Sequence, residues 1–223
     1  PKLWSVDSPN LYWVRTEIIQ NGKVVDRTDS RFGIRYIATN PNSGFYLNGV
    51  HTKLNGVCEH SDLGSLGMET YQAAVDRRIR TLKKYGVNAI RTSHNPVSPE
   101  FIEACDRLGM LVFEEAFDQW LYSKNSDDYH NYFNKAADGK TVVFDKAGND
   151  NTNNDTSYIE VKREDLQSNA ERDIKAMVDR DKNAPCIFAW STGNEIYDAR
   201  YKHGENTLDM LTGWIKEIDT TRP

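Results

Sequence analysis

The sequence predicts an α/β fold in which the first half of a TIM (β/α)8 barrel follows the closing strands of a β-sandwich. Three observations carry this expectation. Apolar runs of strand length alternate four times with stretches of helical periodicity, a pattern that calls for parallel strands joined by helical crossovers. Polar and charged residues gather at the carboxyl ends of those runs, where barrels place their chemistry. Residues 1–38, by contrast, are rich in aromatic and β-branched residues and contain Asn21-Gly22, a two-residue hairpin turn.

Residues 10–19 and 23–28 are expected to form that hairpin, and residues 32–37 a further strand. A hairpin and one strand do not stand alone in water, so they read as the last strands of a sandwich whose earlier strands lie upstream. After Thr39-Asn40-Pro41-Asn42-Ser43-Gly44 the pattern changes, and the barrel portion is expected over 39–223. Its first strand spans 52–57, followed by a helix over 69–85 with Tyr71, Val75, Ile79 and Leu82 on one face. Its second strand spans 87–92. Ser98-Pro99 opens the next helix as an N-cap with proline at the first helical position, and Gly109 closes it. Residues 111–115 form the third strand. A helix over 163–180, with Leu166, Ala170, Ile174 and Met177 aligned, leads to a fourth strand over 186–191, and a last helix carries Leu208, Leu211, Ile215 and Ile218. A doubly wound sheet has the same alternation, but it would carry a glycine-rich phosphate loop after a strand. Asn95-Pro96-Val97 and Ala116-Phe117-Asp118 stand there instead, which argues against a dinucleotide site. The polar insertion over 119–160 reads as loop, since it has little apolar surface to offset its ordering entropy. It also lacks the acidic spacing and central glycine of an EF-hand calcium loop.

With 28 Lys and Arg against 33 Asp and Glu the net charge is −5, and no basic cluster offers a footprint for nucleic acid. No run approaches the roughly 20 apolar residues that span a bilayer, and Pro1-Lys2-Leu3-Trp4-Ser5 has no signal-peptide character. The expectation is therefore a soluble chain without nucleic-acid or membrane partners and of unassigned compartment. Cys58, Cys105 and Cys186 lack the close spacing of zinc sites or disulfide scaffolds and read as small buried apolar residues. Starting without Met and stopping just after a helix, the sequence reads as a segment cut at both ends.

The expected strand ends bring together Glu59 and His60 after the first strand, and Arg91, His94 and Asn95 after the second. Glu114, Glu115 and Asp118 follow the third, and Asn194 and Glu195 the fourth. On a barrel they share one bowl. Glu114 and Glu115 are consecutive in a strand, so at most one faces the centre, and Arg91 with Glu115 has an alternative use as a buried ion pair. Glu195 follows the apolar strand through Ser191-Thr192-Gly193, which would bring its carboxyl to the mouth beside the Asn194 amide. A partly desolvated carboxyl there suits a general acid, because loss of water disfavours its charged form. Trp120, Tyr122, Trp190 and Tyr197 are aromatic candidates for stacking on sugar rings.

Five runs occur in order: Leu54-Asn55-Gly56-Val57-Cys58-Glu59-His60, Asn88-Ala89-Ile90-Arg91-Thr92-Ser93-His94-Asn95-Pro96, Cys105-Asp106-Arg107-Leu108-Gly109, Glu114-Glu115-Ala116-Phe117-Asp118 and Trp190-Ser191-Thr192-Gly193-Asn194-Glu195. Together they resemble glycoside hydrolase family 2, the β-galactosidase and β-glucuronidase family, across essentially the whole chain. The resemblance implies an immunoglobulin-like domain closing at residue 38 and a truncated catalytic barrel over 39–223. It implies retaining hydrolysis of terminal β-D-galactosides with Glu195 as general acid/base and Asn194 on the sugar 2-hydroxyl. His60, Arg91, His94 and Asn95 are then expected to line the sugar pocket, with Asp118 and Trp120 contacting substrate. The family's nucleophilic glutamate sits on the seventh strand, beyond residue 223, so these residues alone are expected to be inactive. Glu114-Glu115 replaces the usual Asp-Glu, and Cys58-Glu59 the usual Asn-Arg before the first histidine. The resemblance implies no required cofactor, although some members bind magnesium or sodium near the acid/base residue. Its partners would be oligosaccharides and, in the whole protein, further copies of itself. A β-glucuronidase and a non-catalytic carbohydrate-binding protein are the alternatives.

Overall fold

The computed structural model describes residues 1–120, 124 and 168–223. Asn21 and Gly22 both adopt positive φ, 51° and 74°, which matches the turn to the right-handed twist of its flanking strands. It joins β1 (Tyr12–Gln20) to β2 (Lys23–Phe32) as an antiparallel pair, with a register shift at Ile18/Ile19. The further strand expected over 32–37 is not formed. Phe32 ends β2 and Ile37 begins β3, because the polar groups between them bind elsewhere: the Ile34 carbonyl accepts from Trp4, the Tyr36 amide donates to Asn48, and the Arg35 guanidinium donates to the carbonyls of Pro185 and Ile187.

An antiparallel meander absent from the sequence expectation comes next, in the order β3 (Ile37–Asn40), β4 (Gly44–Leu47) and β5 (Val50–His51). Asn40 shapes its first turn by accepting from the amides of Asn42 and Ser43. Four parallel strands then form one sheet in the order β6 (Gly56–His60), β7 (Ala89–Ser93), β8 (Leu111–Glu115) and β9 (Ile187–Ser191). The strand expected over 52–57 begins four residues later, because Asn88 occupies the preceding backbone: its Oδ1 accepts from the Asn55 amide and its Nδ2 donates to the Lys53 carbonyl.

The crossovers are α1 (Gln72–Lys84), α2 (Pro99–Leu108) and α3 (Asn169–Asp181), and α4 (Lys202–Ile218) follows β9. Spatial order equals chain order throughout, without the reversal that defines a doubly wound sheet, as in the first half of a TIM barrel. Ser98 caps α2 by accepting from the Phe101 amide, and Gly109 ends it at φ 75°. The residues expected at 163–167 of the third helix, and nearly all of the polar insertion, lie outside the described residues. The helices bury Val75, Ile79, Phe101, Ile102, Ile174, Val178, Leu211 and Ile215 against Ile90, Val112 and Ile187 of the sheet.

The strand register pairs Cys58 with Arg91, Arg91 with Phe113, and Glu115 with Ser191. With a side-chain period of two, these residues share the face away from the helices. Cys58 is accordingly exposed, which corrects the expectation of a buried thiol, whereas Cys105 and Cys186 are buried.

Candidate active site

The site is organised around Glu115 at the end of β8, whose carboxylate is fully buried. Arg91 grips it with Nε at 2.9 Å from Oε2 and Nη2 at 3.0 Å from Oε1. Ser191 on β9 donates its hydroxyl to Oε2 at 2.6 Å. His94 Nδ1 lies 2.7 Å from Oε1, and since an ionised carboxylate only accepts, that nitrogen carries the proton. The backbone amide of Glu115 donates to Thr92 Oγ1 at 2.9 Å. One carboxylate thus ties together three strand ends. Burial opposes the charge on Arg91, but the hydrogen bonds and charge of Glu115 outweigh it and hold the guanidinium above its ordinary value.

From this hub a chain of polar contacts runs outward. Arg91 Nη2 also donates to Asn194 Oδ1 at 2.9 Å, and Asn194 Nδ2 donates to Asp118 Oδ1 at 2.9 Å. Lys124 Nζ donates to the same Asp118 oxygen at 2.7 Å and lies 3.7 Å from Glu195 Oε2. Burial raises the proton affinity of Asp118, yet Lys124 and Asn194 prevail and hold its carboxyl below the usual range. Glu195 sits at φ 45°, in the left-handed region, which costs a non-glycine residue about 1 kcal/mol and persists only where surroundings enforce it. Its side chain is 73% exposed, so the desolvated setting expected for it is not provided by the described residues.

The remaining expected residues divide into two groups. His60 and His94 meet edge to face, with ring centroids 5.2 Å apart. Asn95 donates to the Pro96 carbonyl at 2.9 Å and to Ser61 Oγ at 3.4 Å. Trp120 is buried, with its indole N–H on the Thr192 carbonyl at 2.7 Å. Glu59 turns away to Arg78 on α1 at 2.7 Å. Glu114 points to the helix side as strand alternation requires, where Arg180 approaches at 3.3 Å; burial, reinforced by neighbouring Asp181, pushes its carboxyl well above the ordinary value. Trp190 is buried, donating to Asp219 at 2.9 Å, and so is not available for stacking. Tyr197 is partly exposed beside Arg200, and Tyr122 lies outside the described residues.

Sequence reasoning missed Ser191 and Lys124. Ser191 was signalled by strand parity, since it ends β9 on the same face as Glu115; Lys124 lay inside a run read as loop and had no local signal. Among the described residues no group of three or more His, Cys, Asp and Glu is arranged to hold a metal ion. Among the described residues the space between Asp118 and Glu195 is served by the Lys124 ammonium, a donor set that does not fit magnesium or sodium. Among the described residues no helix is long and apolar enough to cross a membrane.

The sequence model for the TIM barrel domain of glycosyl hydrolases family 2 matches residues 39–223, and that for glycosyl hydrolases family 2 matches residues 1–35. The chain belongs to glycosyl hydrolases family 2. Within this family it is 37% identical over 210 residues to the beta-galactosidase BoGH2A of Bacteroides ovatus, covering 94% of this chain and 21% of that protein. It is 38% identical over 222 residues to a putative beta-glucuronidase of Formosa agariphila, covering 100% of this chain and 18% of that protein. A crystal structure of a family 2 member from Bacteroides cellulosilyticus superposes with a TM-score of 0.82 at 39% identity, covering all of this chain and 24% of that one. The chain spans about a fifth of the length of these curated relatives.

Proposed function

We propose that this chain carries the acid/base portion of a retaining glycosidase that hydrolyses terminal, non-reducing β-D-galactosides. Glu195 is the general acid/base, and the nucleophilic glutamate comes from the part of the enzyme outside these residues. The observation that carries this reading is the clamped pair at the end of β9: Asn194 held between Arg91 and Asp118, with Glu195 beside it at the open mouth. Glu195 protonates the leaving oxygen as the nucleophile forms the glycosyl-enzyme, then takes a proton from the water that cleaves it, with the two carboxyl groups about 5 Å apart. Asn194 has one amide hydrogen left for the sugar 2-hydroxyl. Glu115 does not serve as nucleophile: its oxygens already accept from Arg91 twice, from Ser191 and from His94, which uses the four acceptor positions of a carboxylate.

Charge favours a neutral sugar. Each cation of the bowl among the described residues already has a carboxylate, Arg91 with Glu115 and Lys124 with Asp118, and Glu195 adds a further negative charge. A uronic acid would meet repulsion unless cations arrive from elsewhere in the protein. The putative beta-glucuronidase at 38% identity keeps that activity as the second reading. The test is turnover of aryl β-galactoside, β-glucuronide and β-mannoside by the whole enzyme, with Glu195→Gln as control. Galactoside turnover is expected to fall by about 10²- to 10⁴-fold in the variant on poor leaving groups, and far less on a dinitrophenyl leaving group that needs no protonation. Preferred glucuronide turnover would select the second reading, and turnover indifferent to Glu195→Gln would remove Glu195 from the mechanism.

A further inference from the structure

Lys124 lies outside every element of the barrel and is nonetheless fixed. Its side chain is only 13% exposed. Its backbone amide donates to Gln119 Oε1 at 2.8 Å, and its ammonium donates to Asp118 Oδ1 at 2.7 Å. Asp118 in turn holds the amide of Asn194, the residue preceding Glu195. The ammonium is therefore tied at both ends of its own side chain, and it makes the ion pair that Glu195 has among the described residues, at 3.7 Å. That separation is too long for a hydrogen bond and suits a through-space interaction.

We propose that Lys124 is a positioning residue for Glu195, an internal ammonium that orients the acid/base carboxyl at the mouth. The proposal rests on the acid/base reading of Glu195. The other charged groups joined to this chain of contacts are Asp118 after β8, Arg91 and His94 from β7 and its loop, and Glu115 on β8. Arg91 and His94 are both engaged by Glu115, and Asp118 is covered by Lys124 itself. The ammonium is thus the group placed to act on Glu195 directly.

In a retaining reaction the acid/base group works in both ionisation states. It must be protonated to expel the leaving group and ionised to accept a proton from water. An ammonium held 3.7 Å away keeps that one carboxyl aimed at the same place for both tasks, and without it a side chain as exposed as that of Glu195 samples other rotamers.

The test uses the whole enzyme with Lys124→Met, which keeps the stem and removes the charge, and Lys124→Arg, which keeps the charge. On an alkyl β-galactoside, kcat is expected to fall several-fold in Lys124→Met with KM little changed, and to be largely restored in Lys124→Arg. On the Glu195→Gln background, Lys124→Met should add no further loss, because the group through which it acts is gone. Should Lys124→Met fail to fold, Lys124→Gln, which keeps a donor for Asp118, carries the same expectation. An unchanged kcat in a folded, charge-free variant would overturn the proposal while leaving the acid/base reading intact. An equal loss on the Glu195→Gln background would do the same. Full activity of Glu195→Gln alone would instead overturn the reading beneath it.

Discussion

Replacing Glu115 with Gln removes one charge from a position where three strand ends converge. The side chain keeps its volume, so the change is electrostatic and the size of the effect can be built from the contacts. Arg91 makes two hydrogen bonds to the carboxylate and Ser191 a third. A hydrogen bond to a charged acceptor stabilises by about 1.5–3 kcal/mol and one to a neutral acceptor by about 1, so each contact loses roughly 1 kcal/mol. The new NH₂ must also face one of these donors. The total, about 3 kcal/mol, lies at the low end of what breaking a buried ion pair costs, as suits an arginine that solvent still reaches. The readout is amide hydrogen exchange at residues 115 and 116. In the wild type the first amide donates to Thr92 Oγ1 and the second to the Ser191 carbonyl, both at 2.9 Å. Local opening made easier by about 3 kcal/mol speeds their exchange roughly a hundredfold. Acceleration below threefold, in a variant whose α2 amides exchange as in the wild type, would refute the argument that Glu115 holds the strand ends together.

Two further outcomes follow from local geometry. Glu114 has its proton affinity raised by burial, so the native state holds a proton that the unfolded chain gives up near the ordinary value of 4.5. Stability from this group is full below that value and declines as pH rises toward the native value; Glu114→Gln should flatten the decline, seen as a smaller difference between urea midpoints at pH 5 and pH 7.5. Gly109→Ala should destabilise by about 2 kcal/mol or more, since φ is 75° and a Cβ there would lie 2.2 Å from the Val6 carbonyl oxygen; a change in urea midpoint equivalent to under 0.5 kcal/mol would contradict the clash.

What could be read in advance was local. Ser98-Pro99 and Gly109 delimit α2 because caps act within four residues of themselves, and residues 111–115 form β8 as expected. The opposite facing of Glu114 and Glu115 follows from strand parity alone. The parts that escaped depend on distant partners. Residues 33–36 have strand-like composition, but Trp4, Asn48, Pro185 and Ile187 claim their polar groups. The β3–β5 meander is built from strands of four residues or fewer, too short for a periodic signal. Lys124 meets Glu195 across 71 positions of sequence, and nothing in the intervening run announces it. The solvent exposure of Glu195 is likewise a property of three-dimensional placement, since Ile196 and the apolar β9 before it suggest enclosure.

Asn194 is gripped at its oxygen by a guanidinium and at its nitrogen by a carboxylate. Turned over, the amide would set NH₂ against Arg91 and oxygen against Asp118. The side chain therefore keeps one polarity, without needing steric walls to impose it. Aspartate, its isostere, would suit Arg91 and repel Asp118; leucine would desert both. A neighbourhood so polarised admits a single residue type, and any lineage that altered this position would have to exchange Arg91, Asp118 or both in the same interval. Divergence of specificity is thereby directed away from the rim of β9 and toward loops whose contacts carry no such directional demand.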